Sequence, residues 1–226
     1  MKEAAERFLS LEVPGESVSA ILLMPREPIA LLVLAHGAGA GMRHPFMEGI
    51  ATGLQDRSVA TLRYQFPYME AGRRAPDRAS RLMATVRGAV VEASRIAPGV
   101  PLMAGGKSMG GRMTSAAASE APLLGVRGIV FFGFPLHPPG RPSTERGAHL
   151  DSVGLPMLFL QGSRDKLAHL DLLERTLRTV RPVPVLHVIE GADHGFHVPK
   201  RSEREDGEVL GELGDVTAEW MVRLAQ

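Results

Sequence analysis

Three side chains have the types that nucleophilic acyl transfer needs, in the order Ser108, Asp165, His194. A serine hydroxyl is a poor nucleophile until a base takes its proton. The base in turn needs a carboxylate to hold its tautomer and stabilise its charged form. Ser108 lies at the centre of G-x-S-x-G in the run Ala104-Gly105-Gly106-Lys107-Ser108-Met109-Gly110-Gly111-Arg112. A short apolar stretch, Val100 to Ala104, precedes it, and a small-residue helical stretch, Met109 to Ala121, follows. A serine on such a sharp strand-to-helix turn presents its hydroxyl outward. Side chains flanking the turn would collide with it, and Gly106 and Gly110 occupy the two crowded positions.

Gly106-Lys107-Ser108 is also the tail of a phosphate-binding loop, G-x-x-x-x-G-K-[ST]. That motif needs a glycine five residues before Gly106, where the chain has Pro101. The phosphate cradle is therefore missing.

Asp165 closes the run Gly162-Ser163-Arg164-Asp165, after the apolar segment Met157 to Gln161. It also precedes a helical pattern, so it fits a helix N-cap equally well. His194 lies in Asp193-His194-Gly195, after the apolar segment Val183 to Ile189. Asp193 and Asp151 are rival acids, but Asp193 adjoins His194 and is poorly placed to reach back to the same ring. His197 stands three residues beyond His194, a spacing seen in metal pairs, and no third ligand motif accompanies it. No metal or cofactor is expected. Oxyanion donors are needed as well. The N–H of Met109, next to the nucleophile, is one; an amide in the small-residue loop His36-Gly37-Ala38-Gly39-Ala40-Gly41 is the other, Ala38 first and Gly39 next.

Composition bounds the rest. A chain of 226 residues with 44% hydrophobic and 23% charged content fits one globular domain, 1–226. A net charge of +1 gives no electrostatic case for a nucleic-acid or membrane partner. The absence of cysteine removes disulfides, thiolate metal sites and a cysteine nucleophile. Met1 to Glu16 is charged throughout and does not read as a secretory signal, and the apolar run Ile29 to Ala35 is too short to span a bilayer. A cytoplasmic location is expected.

Strand-like runs occur at Val18 to Met24, Ala30 to Ala35, Val59 to Tyr64, Val100 to Ala104, Arg127 to Phe132, Met157 to Gln161 and Val183 to Ile189. Helical periodicity covers Met47 to Asp56, Pro76 to Ile96, Met109 to Ala121, Lys166 to Val180 and Val209 to Leu224. This alternation predicts an α/β fold with a mostly parallel central sheet and helices on both faces. Pro135 to Gly154 and Lys200 to Gly207 read as surface loops.

Together, His36-Gly37-Ala38-Gly39, Gly106 to Gly110, Gly162 to Asp165 and Asp193-His194-Gly195 resemble the alpha/beta-hydrolase superfamily. More narrowly the chain resembles small dienelactone-hydrolase-like proteins. It is most similar to the hydrolase-like domain shared by a histone-acetyltransferase-complex subunit and a testis-expressed protein. The segments Ala35 to Met47, Gly105 to Met113 and Phe134 to Gly140 carry that narrower likeness. The resemblance implies an alpha/beta-hydrolase fold and a Ser108–His194–Asp165 triad acting on an ester or related acyl bond. Some of the narrower group act as protein-interaction domains, so a non-catalytic module on the same scaffold is the alternative.

The connection between Phe132 and Met157 is too short for a cap domain. It is expected to fold over the site, with Phe134, Leu136 and His137 as walls. Lys107, Arg112 and Arg43 flank the predicted site and would attract an acidic substrate, or pair with neighbouring helices. The expected partner is a small acyl compound.

Overall fold

The structure is a computed structural model describing residues 6–226. Residues 1–5, the start of the charged N-terminal stretch, lie outside the described residues.

Eight strands form one sheet: β1 (Arg7–Val13), β2 (Glu16–Leu23), β3 (Ala30–Ala35), β4 (Val59–Tyr64), β5 (Leu102–Lys107), β6 (Val126–Phe132), β7 (Met157–Gly162) and β8 (Val185–Ile189). Their spatial order is β1-β2-β4-β3-β5-β6-β7-β8. The β1–β2 and β2–β4 pairs are antiparallel, and the six strands β3 through β8 pair in parallel. β3, β4 and β7 are buried along their whole length, which is why they read as unbroken apolar runs.

The helices are α1 (Pro45–Gln55), α2 (Pro67–Glu70), α3 (Ala79–Ile96), α4 (Met109–Glu120), α5 (Leu170–Arg178) and α6 (Asp206–Ala225). Two apolar clusters result, one on each face of the sheet. Residues of α3, α4 and α5 fill one; α1 and α6 fill the other, with Ile50, Leu54, Leu213 and Trp220 at its centre. No helix among the described residues is long and apolar enough to cross a membrane.

The expected α/β architecture with no large cap is present, with local differences. β1 comes from the charged N-terminal stretch, for which no strand is predicted. Only Leu11 and Val13 of its residues are buried, so its apolar alternation is short. Pro14-Gly15 turns it into β2, with Gly15 at φ +89°. α6 begins earlier than its apolar stripe, because Glu205, inside the expected surface loop, forms a reciprocal capping box with Glu208. α5 begins later than expected, because the residues before it form a turn around Asp165.

The chain runs from β3 outward to β4, then crosses back to β5 on the other side. Loops leaving the carboxyl ends of β3 and β5 therefore diverge, and a crevice opens between them. The 36–41 loop and Ser108 both lie there.

Candidate active site

Ser108 caps the start of α4 with φ 51° and ψ −116°, a left-handed conformation rare for a residue with a Cβ. Close packing imposes it. A Cβ at Gly106 would collide with the Ala35 carbonyl oxygen, and one at Gly110 would lie 2.6 Å from that of His36. A Cβ at Gly105 would strike the Val130 carbonyl oxygen on β6. The glycines thus let α4 rise directly from the end of β5 against β3.

The β7 and β8 ends are joined beyond the sheet. Ser163 N–H donates to the Ile189 carbonyl at 3.0 Å, and Arg164 N–H donates to that of Ala192 at 2.9 Å. This brings Asp165 and His194 together. Asp165 Oδ2 lies 2.6 Å from His194 Nδ1, and His194 Nε2 lies 2.8 Å from Ser108 Oγ. The carboxylate only accepts, so His194 carries its proton on Nδ1, and Nε2 is left to accept from the Ser108 hydroxyl.

The Asp165 side chain is fully buried. Its Oδ1 accepts from Leu167 N–H at 2.7 Å, and its Oδ2 also accepts from Gln161 Nε2. Asp165 therefore shapes the turn before α5 and pairs with His194 at once. Gln161 was not singled out from the sequence. Its Oε1 accepts from Phe134 N–H at 2.9 Å, which fixes the amide so that its nitrogen faces Asp165. The available signal was a polar residue in an otherwise apolar strand end.

The rival groups have other partners. Asp193 Oδ1 accepts from the N–H groups of Gly195 and His197 and so braces its own turn. His197 Nδ1 pairs with Asp206 Oδ2 at 2.7 Å, which holds the imidazole above the usual histidine range. Asp151 accepts from the neighbouring Ser152 hydroxyl. No cluster of metal-ligating side chains occurs among the described residues.

The 36–41 loop is held from behind. His36 is completely buried; its Nε2 accepts from Phe66 N–H at 3.0 Å and its Nδ1 donates to the Gly37 carbonyl at 2.8 Å. Burial pushes the imidazole down to about 4, so it is neutral in the fold. The Tyr68 hydroxyl donates to the Ala38 carbonyl at 2.9 Å. Met109 N–H belongs to the first turn of α4, which has no intrahelical acceptors to offer.

A cleft of about 700 Å³ runs from Ser108 and His194 toward α1 and α6. Ala38, Gly39 and Lys107 line it; Phe134 and His137 do not. Those two expected walls, with Leu136, are buried in the core. Phe134 packs against Phe131 and Phe159. His137 supports the 167–169 segment from behind: its N–H donates to the Leu167 carbonyl at 2.9 Å, and its Nε2 accepts from His169 N–H at 3.1 Å. The connection after β6 does not cover the site, because Leu136 and Leu150 draw it into the core instead. The actual walls are Phe46, after the 36–41 loop, and Phe196, after His194, whose rings stack at 5.5 Å.

Lys107 is half-buried. Its Nζ donates to the His194 carbonyl at 2.5 Å and faces the rings of Phe46 and Phe196 at 5.7 and 5.3 Å. Burial pushes its ammonium down to about 8, against the pull of Asp165 and Asp193. Arg43 instead lies over the Phe8 ring, and neither it nor Arg112 lines the cleft.

Residues 28–222 match the family model described as an alpha/beta hydrolase domain. The chain belongs to the alpha/beta hydrolase family. Among solved structures, this hydrolase is similar to a dienelactone hydrolase from Anabaena variabilis. That likeness has TM-score 0.81 and 21% identity, covering 98% of this chain and 99% of the other. A Xanthomonas campestris protein described as an alpha/beta serine hydrolase without a lid aligns with TM-score 0.74 and 18% identity, over 95% and 94% of the two chains. Among curated relatives, a Mycobacterium tuberculosis protein provisionally named a phosphoribosyl transferase is 30% identical over 193 residues. The match covers 83% of this chain and 41% of that protein, so the hydrolase spans about two fifths of the length of the relative.

Proposed function

We propose that this alpha/beta hydrolase is a serine esterase that cleaves a small carboxylic ester or related acyl bond through an acyl-enzyme. The observation that carries the reading is the unbroken relay from buried Asp165 through His194 to Ser108 at the end of an open cleft.

In the proposed reaction His194 Nε2 takes the Ser108 proton as Oγ attacks the carbonyl carbon. Asp165 stabilises the imidazolium that forms, and the N–H groups of Met109 and Ala38 hold the oxyanion. The tetrahedral species collapses, the acyl–oxygen bond breaks, and His194 returns the proton to the leaving alcohol. Water then repeats the sequence on the acyl-enzyme and frees Ser108 and a carboxylic acid.

The esterase reading agrees with the names of the dienelactone hydrolase and the lidless serine hydrolase. The transferase name of the mycobacterial relative applies to a protein more than twice the matched length. Phosphoribosyl transfer has no evident use for a Ser–His–Asp relay. The narrower resemblance read from the sequence, to the domain of the acetyltransferase subunit and the testis-expressed protein, is part of this proposal and adds no substrate.

A fluorophosphonate probe tests the reading. Folded wild-type protein should form a covalent adduct that Ser108→Ala eliminates and His194→Ala slows at least a thousandfold. Folded wild-type protein that forms no Ser108-dependent adduct would point instead to a non-catalytic interaction module.

A further inference from the structure

The lining of the cleft changes character with depth. Its rim is polar and exposed: His44, His197 and Asp206 stand there. Its interior is apolar: Met47 and Leu213 are buried, and Phe46, Phe196 and Leu210 complete it. The far wall is formed where α6 crosses α1. A Cβ at Gly49 would lie 2.6 Å from Leu210 Cδ2, so the missing side chain on α1 lets Leu210 seat directly against that helix. Lys107, the one lysine or arginine lining it among the described residues, has its ammonium held by the His194 carbonyl and two ring faces. An anionic tail would have to displace those contacts, whereas an alkyl tail would meet a lining that is mostly carbon.

We infer that the substrate is an ester bearing a medium-length alkyl group, which the cleft between α1 and α6 receives, and that Leu210 sets the length accepted. This deepens the esterase reading and rests on it. The alkyl group belongs to either the acyl or the alcohol side of the ester; both present the same hydrocarbon to Phe46, Phe196 and Leu210.

Burial of each methylene is worth up to about fourfold in kcat/KM. Two substrate series separate the two sources: p-nitrophenyl esters from acetate to decanoate, and alkyl acetates from ethyl to octyl followed by proton release. In one series kcat/KM should climb by roughly two- to fourfold per methylene to about six or eight carbons, then level or fall. The ratio of the eight-carbon to the two-carbon substrate should drop at least tenfold in Leu210→Trp. In Leu210→Ala the optimum should move one or two carbons longer. Fluorophosphonate labelling of the same preparations checks the site itself. Wild-type protein that fails to label at Ser108 defeats the esterase reading. Protein that labels but shows a flat or falling profile in both series overturns the alkyl assignment alone. A rising profile that neither Leu210 variant shifts overturns the role of Leu210.

Discussion

At the residue scale, His36 ties stability to pH. The fold holds it neutral, with its ring in edge contact with Phe66 and both nitrogens bonded, and burial pushes it down to about 4. In the unfolded chain it takes a proton near the ordinary histidine value of about 6.5. The unfolded state therefore binds more protons as pH falls through this window. The stability linked to His36 is whole above about pH 6.5 and drains away toward pH 4, a loss of roughly 3 kcal/mol from this group at the lower end. Urea unfolding at pH 7 and pH 4.5 should show a steeper loss in wild type than in His36→Gln, which keeps polar atoms in the pocket and does not titrate. Equal losses would show that another group governs acid unfolding.

At the element scale, Lys107 ties the end of β5 to the loop after β8. It sits one residue before Ser108, and its ammonium holds the His194 carbonyl. Held in this way, Lys107 is placed to act through His194 as a positioning residue. Its folded value of about 8 lies below that of an unfolded lysine. The buried charge thus opposes folding below about pH 8, and the cost fades as pH rises toward the unfolded value. Lys107→Met should therefore raise the Tm at pH 7 while slowing Ser108 labelling at least tenfold. Wild-type labelling should also fall off above about pH 8, and Lys107→Arg should carry it to higher pH. A Lys107→Met protein that labels at the wild-type rate would remove this role. The strut was not legible in the sequence. Lys107 read as a cation flanking the motif, for an acidic substrate or a neighbouring helix, because nothing local says that His194 will bring its carbonyl across the sheet ends. Asp165 was legible as an acid before a helix, with the N-cap and the triad left as alternatives. In the structure one oxygen faces His194 and the other accepts from Leu167 N–H in the turn ahead of α5, whose N-cap is His169.

At the scale of the whole molecule, the sheet order separates the periphery from the chemistry. β1 is an edge strand, with β2, β4 and β3 between it and β5. It is held by Val13 against α3, where a Cβ at Gly88 would lie 2.8 Å from Val13 Cγ1 and 3.0 Å from its backbone Cα. Gly88→Val should displace β1 while the central parallel strands remain in place. Hydrogen exchange in residues 7–13 should speed up at least tenfold, with Ser108 labelling unchanged within twofold. Loss of labelling together with β1 would show that the sheet unfolds as one unit.

What the sequence determined by itself was local. Unbroken apolar runs specify buried parallel strands, because both faces of such strands are covered. The glycines around Ser108 specify the elbow, because only a missing Cβ fits between β3, β5 and β6 there. The chain order of Ser108, Asp165 and His194 followed from motifs that each end a strand. The tertiary structure decided what depends on groups far apart in the chain. It placed Gln161 between Phe134 and Asp165, and drew Phe134 and His137 into the core. It also built the cleft walls from Phe46, Phe196 and Leu210, on three separate segments. A side chain's own neighbours in sequence set its backbone. Whether it faces the core or a cleft is set by the elements that pack against it, and those meet only when the sheet is assembled.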